Sequence, residues 1–352
     1  TCAFNKYGFK PQSAFISECN MGLTSSVTIL LIALLVLGFS SSRVVSLLTG
    51  ISSKLKMPKF LLSFVVLGLG TSLPDLFVTS QAAAAGQADL VISTIIGANI
   101  IVICLVLGLV TIIKGDFRVK ENAIIDNFGY LFFVIAIPFF LMLDGKLTST
   151  EGVILLIVYF MYIFNVREQE SVIKKEEEET HAVFMHGLKV KKVSSAILQM
   201  VLLMAIAYIA SNYIVDSAIN IIKIYNIHPI LMGFTILSLG IAIPEFGVDL
   251  SALRAREEEV IWGDLIGSFV TELTFVLGIA AIVAGNIVFT FSHFLVAYAF
   301  MVFAFVMVFF FAYRKKELSR MEGIVLVLIY FIFLSVQFDL VHTFGDVPFQ
   351  LP

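Results

Sequence analysis

Charge is scarce in this sequence. Asp, Glu, Lys and Arg make up 14% of its 352 residues, against about a quarter in a soluble globular protein. Hydrophobic residues make up 59%, Phe alone contributing 34, and no water-soluble fold of this size could hide that much apolar surface. The chain therefore reads as an integral membrane protein. Its apolar content excludes a single-anchor or lipidated peripheral protein. Outer-membrane barrels are excluded too, because their strands alternate polar and apolar residues. Cysteine is also scarce: three residues are too few for a disulfide scaffold. Cys2 and Cys19 precede the first apolar run, and their spacing fits a bond or free thiols equally; Cys104 lies inside a run. Residues 1–20 mix Lys6, Lys10, Pro11 and Glu18 without an apolar stretch, so no cleavable signal is read there.

What is present are ten apolar segments, at about 22–48, 60–85, 89–113, 123–143, 149–166, 194–222, 229–253, 260–283, 292–313 and 322–339. A span needs roughly 20 residues. The longest polar interruption, 167–193, holds the acidic run Glu176–Glu179 and six basic residues, and separates five segments from five. The expected fold is all-α, with ten transmembrane helices. Its organisation is a short segment 1–21, a first five-helix repeat 22–166, a charged linker 167–193, a second, inverted repeat 194–340 and a tail 341–352.

Sidedness follows from the basic residues. If ten spans alternate the loops between two faces, one face receives only Lys6, Lys10, Lys146 and Lys223 of the 23 Lys and Arg. The positive-inside rule places the other face, with the linker, in the cytosol and both termini outside it. The plasma membrane is the expected location, although an organellar lumen would serve as the outside equally.

The halves resemble each other. Gly70-Thr71-Ser72-Leu73-Pro74-Asp75 aligns with Gly240-Ile241-Ala242-Ile243-Pro244-Glu245 at an offset of 170. The same offset brings Ile96-Gly97-Ala98 onto Ile266-Gly267-Ser268 and Ser41 onto Ser211, and an offset of 171 brings Glu151-Gly152 onto Glu322-Gly323. Five spans is an odd number, so the second half enters the membrane from the opposite side. Inverted repeats of this kind are typical of secondary transporters with a site near the midplane.

The few charges inside the segments locate the chemistry. Asp75, Glu245, Asp264 and Glu272 lie deep in apolar runs, with Asp249 nearer the cytosolic end, and no Lys or Arg reaches their depth. A charged side chain at mid-helix costs about 2.5–3.5 kcal/mol on insertion scales. Such acids must be protonated, hydrated or paired with a mobile cation, unless they form a structural network with backbone groups. Asp75 and Glu245 each follow a proline, which disturbs the helix and frees carbonyl oxygens. Thr71 stands one turn before Asp75. Asp264, Ser268 and Glu272 form one polar stripe at four-residue spacing, where the third segment offers Thr94, Ala98 and Val102. Asn99 lies on a different face and suits packing or capping equally. Carboxylates, hydroxyls and freed carbonyls are the ligands that hard cations prefer. The many Phe of the ninth segment read as lipid-facing bulk.

These motifs resemble the two signature repeats of the sodium/calcium exchangers, in the Ca2+/cation antiporter superfamily. The first is Gly70 to Asp75 followed by Ile96-Gly97-Ala98-Asn99-Ile100; the second is Gly240 to Glu245 with Gly267-Ser268. The resemblance runs from about residue 22 to 340. It implies ten helices in inverted repeats, four central ion sites, no cofactor, and a secondary transporter rather than an enzyme. It places cation ligands at Thr71, Ser72, Asp75, Glu245, Ser268 and Glu272; Asp264 and Asp249 are possible additions read from the residues. The implied partners are the bilayer and transported Ca2+ with Na+ or H+, not nucleic acid, and a monomer suffices.

Departures from the pattern qualify the ion. Ile241 and Ala242 stand where the family usually has Thr and Ser, Ala98 replaces Ser, and Val102 replaces Asn. The acids remain while neutral oxygen ligands are lost. The expectation is a retained divalent site with Na+ coupling reduced or replaced by H+, because carboxylates sharing a site favour protonation. An exchanger of Mg2+ or another divalent ion keeps the same fold. Two readings from other classes also stand: a non-transporting receptor, and an intramembrane aspartyl protease, whose Tyr-Asp and Gly-x-Gly-Asp signatures are absent.

Overall fold

The computed structural model describes residues 23–54, 66–115, 117–118, 128–173, 192–255, 258–315 and 317–344. Cys2, Cys19, the Glu176–Glu179 run, His181 and His186 lie outside the described residues, as do segment 1–21, most of the linker and most of the tail.

The described residues are almost wholly helical. The first half runs α1 (Leu23–Lys54), α2 (Gly68–Thr71), α3 (Leu73–Ala84), α4 (Ala88–Ile100), a π-helical turn π1 (Ile101–Val106) and α5 (Leu107–Lys114). It continues with β1 (Phe117–Arg118), α6 (Phe128–Leu141), β2 (Lys146–Thr148) and α7 (Ser149–Ile173). The second half opens with α8 (Val193–Tyr225), α9 (Pro229–Met232), π2 (Gly233–Leu237), α10 (Ser238–Ile241) and α11 (Ile243–Ala255). Then come α12 (Glu258–Val270), π3 (Thr271–Val276), α13 (Leu277–Ala284), β3 (Asn286–Val288), α14 (Phe291–Lys315), β4 (Glu317–Leu318) and α15 (Arg320–Phe344). Element boundaries recur: α3, α4, π1 and α5 start at 73, 88, 101 and 107, and α11, α12, π3 and α13 start 170 residues later.

Six helical runs are long and apolar enough to cross a membrane: Leu23–Ser52, Ala88–Lys114, Val193–Tyr225, Val260–Ala284, Phe291–Arg314 and Arg320–Val341. A seventh arises if Pro229–Ile241 and Ile243–Ala255, bent by 42°, form one span. Leu131–Leu141 and Ser149–Phe164 are shorter apolar helices. Ala88–Lys114 is 83% buried over its most apolar stretch and Val260–Ala284 78%, against 17% for Val193–Tyr225. The first two therefore form the centre. Helices α1 and α8 lie side by side, joined by Asn220 Nδ2 donating to Ser26 Oγ at 2.6 Å. They expose Leu31, Leu35, Phe39, Leu198, Val201 and Ile209, surface that suits lipid and not water. In α14, Phe303 and Phe310 are exposed, but Phe294, Phe305 and Phe309 are buried. The lipid-facing reading of its phenylalanines is thus corrected: one face of the helix is core, where Phe269 stacks on Phe305 at 5.1 Å.

Matched devices in the two halves hold this centre. Thr148 and Ser319 each precede a helix, and Glu151 and Glu322 return to accept their backbone N–H at 2.7 Å and hydroxyl at 2.8 and 2.9 Å. These are capping boxes, which satisfy donors that a helix start leaves bare. The residue after each glutamate is a glycine that makes a backbone crossing. A Cβ on Gly152 would stand 2.7 Å from the Gly278 oxygen, and one on Gly323 would stand 2.8 Å from that of Gly108. So α7 touches α13, and α15 touches α5, backbone to backbone. Two short antiparallel strand pairs, β1 with β4 and β2 with β3, tie the halves together. The sequence gives no sign of them.

Candidate cation site

The site begins with two helix breaks. Ser72 separates α2 from α3 and Ala242 separates α10 from α11, each with ψ near zero (4° and −7°). Pro74 and Pro244 follow, and having no N–H they leave the carbonyls of Gly70 and Gly240 without their helical donors. Asp75 and Glu245 come next, in the first turn of the new helix, where the helix dipole favours an anion. Glu272 sits in π3; π turns are rare and recur at functional sites.

Close helix contact brings the two halves' residues together. A Cβ on Gly68 would lie 2.4 Å from the Gly267 carbonyl carbon, so α2 rests on the backbone of α12. Across this contact Thr71 Oγ1 donates to Asp264 Oδ1 at 3.0 Å. Asn99 Nδ2 of α4 donates to Glu272 Oε2 at 2.7 Å. Ser268 faces the Glu245 carboxylate, and Ser72 turns its hydroxyl back to the Gly68 carbonyl at 2.8 Å. Glu245 interacts electrostatically with Asp75, Asp264 and Asp249, and Glu272 with Asp75, Glu245 and Asp264.

All eight residues singled out from the sequence are buried, none more than 2% exposed. Asp249, nearer the cytosolic end of its segment, is thus enclosed in the interior as the others are. Among the described residues no Lys, Arg or His is buried with them. Asp75 Oδ1, Glu245 Oε1 and Asp249 Oδ1 have no hydrogen-bond partner among the described residues, a situation costing about 1–3 kcal/mol per group. No three His, Cys, Asp or Glu side chains among the described residues converge enough to hold a metal ion by themselves, so hydroxyls and carbonyls must share in any shell.

Asn99 is the member that sequence reasoning did not settle. Its signal was a polar side chain in a largely apolar segment, and the structure gives it a site carboxylate as partner. The positions that depart from the family pattern, Ile241, Ala242, Ala98 and Val102, are all buried and apolar.

The family described as "Sodium/calcium exchanger protein" matches residues 25–166 and 195–338. The chain belongs to this family. Among relatives, the Escherichia coli inner membrane protein YrbG is 25% identical over 267 residues, covering 73% of this chain and 80% of its own. The sodium/calcium exchanger MaX1 of Methanosarcina acetivorans is 24% identical, covering 90% of this chain and 99% of its own. Two exchangers with solved structures share the fold. The sodium-calcium exchanger NCX_Mj, soaked with Na+ and Sr2+, superposes with a TM-score of 0.63 at 23% identity, over 89% of this chain and 99% of that one. An H+/Ca2+ exchanger, CAX, gives a TM-score of 0.71 at 17% identity, over 90% of this chain and 88% of that one.

Proposed function

We propose that this chain is a secondary active antiporter that exchanges Ca2+ for Na+ or H+ by alternating access. The central ligands are Asp75, Glu245 and Glu272, completed by Thr71, Ser72, Ser268 and backbone carbonyls. The observation that carries this reading is a set of buried carboxylates with oxygens lacking partners and no buried basic group beside them. Buried charge must be paired or neutralised, and a transported cation does both. An empty acidic site resists enclosure in low dielectric, whereas a loaded one does not. That difference enforces exchange and suppresses leak.

Ten spans in two inverted repeats, with both termini outside the cytosol, are part of the proposal. The recurrence of element boundaries at one offset and the one-sided basic residues support it. Relatives named for Na+/Ca2+ and for H+/Ca2+ exchange bracket the counter-ion. Ile241 and Ala242, apolar where the first half has Thr71 and Ser72, favour fewer Na+ sites and so a larger share for H+.

Ca2+ uptake into vesicles containing the purified protein, driven in turn by a Na+ gradient and a pH gradient, tests the reading. Uptake with either gradient supports antiport and names the counter-ion. No uptake with either would leave the receptor or protease readings. Uptake that needs several Na+ per cycle and ignores pH would overturn the H+ component.

A further inference from the structure

At the 170-residue offset Asp249 matches Thr79, Asp264 matches Thr94, and Thr71 matches Ile241. The matched sets lie on opposite sides of the central carboxylates. In the proposed topology α11 runs toward the cytosol, so Asp249 lies one turn to the cytosolic side of Glu245. Helix α12 runs away from it, so Asp264 lies two turns to the cytosolic side of Glu272. Thr71 precedes Asp75 on a helix that also rises from the cytosol. The cytosolic set therefore holds two carboxylates and a hydroxyl, and the opposite set holds Thr79, Thr94 and Ile241, with no charge. Thr79 spends its hydroxyl on the Asp75 carbonyl at 2.6 Å.

Charge counting leaves room for more than one ion. Asp75, Glu245, Glu272, Asp249 and Asp264 are five buried carboxylates; one Ca2+ offsets two charges, and each of the others must be protonated or meet a further cation. Asp249 also stands unsatisfied in its own right. It is 98% buried, its Oδ1 has no hydrogen-bond partner among the described residues, and the Asp264 carboxylate is near enough to act on it. Thr71 Oγ1 stands 3.0 Å from Asp264 Oδ1 and equally near the Leu67 carbonyl of its own helix, so its one hydrogen can serve either while the oxygen stays beside Asp264. A cavity of about 480 Å³ opens next to this set, lined by Ile113, Lys114, Leu250, Leu253, Arg254 and Glu258. Of its lining residues, Leu250 follows Asp249 directly in α11 and Leu253 lies one helical turn beyond it. The ion pair of Lys114 with Glu258 joins the two halves at its rim.

We infer that Asp249, Asp264 and the Thr71 hydroxyl form a second Ca2+ site on the cytosolic side of the central carboxylates, without a counterpart on the other side. The inference rests on the exchanger reading and deepens it: the ion is loaded from the cytosol past two carboxylates whose matched positions on the other side are Thr79 and Thr94. Two carboxylates and a hydroxyl are hard oxygen ligands of the type that Ca2+ takes.

Equilibrium binding of radiolabelled Ca2+ to the purified full chain tests this, comparing wild type with the double variant Asp249→Thr, Asp264→Thr. Those replacements are the residues the first half carries at the matching positions. The wild type is expected to bind two Ca2+ per chain and the double variant one. A variant with Asp75→Asn and Glu245→Gln should keep one. If the double variant does not fold, the single pair Asp249→Thr and Asp249→Glu serves, the first losing the second ion and the second, which keeps the charge, retaining it. One Ca2+ bound by both wild type and double variant would overturn the second site and leave the exchanger reading standing. No Ca2+ bound by the wild type would overturn both.

Discussion

Asn99 and Glu272 meet across the boundary between the halves of the chain, with the amide Nδ2 2.7 Å from the carboxylate Oε2. Asn99 Nδ2 also donates to the Ile95 carbonyl of its own helix at 2.8 Å, so both amide hydrogens are engaged and the helix anchor fixes where the carboxylate points. A hydrogen bond to a charged group contributes about 1.5–3 kcal/mol. Asn99→Val should therefore raise half-saturating Ca2+ for uptake by roughly tenfold or more. A shift below twofold would show that the amide is a bystander.

Asp75→Asn and Glu245→Gln remove a charge while keeping shape. Each should abolish Ca2+ flux while leaving the purified protein helical by circular dichroism, because each deprives the ion of a central ligand. Normal flux in either variant would refute the assignment of that residue.

Gly68 and Gly247 make a matched pair for stability. A Cβ on Gly68 would meet the Gly267 backbone at 2.4 Å, whereas one on Gly247 would meet nothing within 4 Å. Overpacking costs about 1–3 kcal/mol, and Gly to Ala inside a helix otherwise gains up to about 1 kcal/mol. Gly68→Ala should lower the thermal midpoint of the detergent-solubilised protein, and Gly247→Ala should hold or raise it. The reverse order would mean that α2 and α12 are not in contact.

Ile241→Thr combined with Ala242→Ser returns to the second break the hydroxyls that Thr71 and Ser72 supply at the first. Hydroxyl oxygens serve Na+ without adding charge. The double variant should show a steeper dependence of Ca2+ flux on Na+ than the parent, read as a larger Hill coefficient. An unchanged slope would show that these positions do not face the ion pathway.

The sequence disclosed the site wherever a residue paid a visible penalty. Asp75 and Glu245 were legible because acids behind prolines are costly in apolar runs, and Glu151 and Glu322 because each opened a helix at one offset. Asn99 was not settled, since the helical-face argument weighs a residue against its own helix and its partner stands on another. Asp249 was left open for a related reason: distance along a helix gives depth in the bilayer but not burial by neighbours. The phenylalanines of α14 were misread because composition cannot divide one helix into a face toward protein and a face toward lipid. The strand pairs were invisible, as two or three residues carry no periodicity and their partners are remote.

Those strand pairs bear on how the molecule is made. Phe117 pairs with Leu318 and Leu147 with Ile287, so neither half contains the mate of its own strand. During synthesis the first half emerges with two open edges whose partners lie 201 and 140 residues downstream. Pairings over such separations close late. The first half cannot complete its strand contacts until Asn286–Val288 and Glu317–Leu318 have been translated.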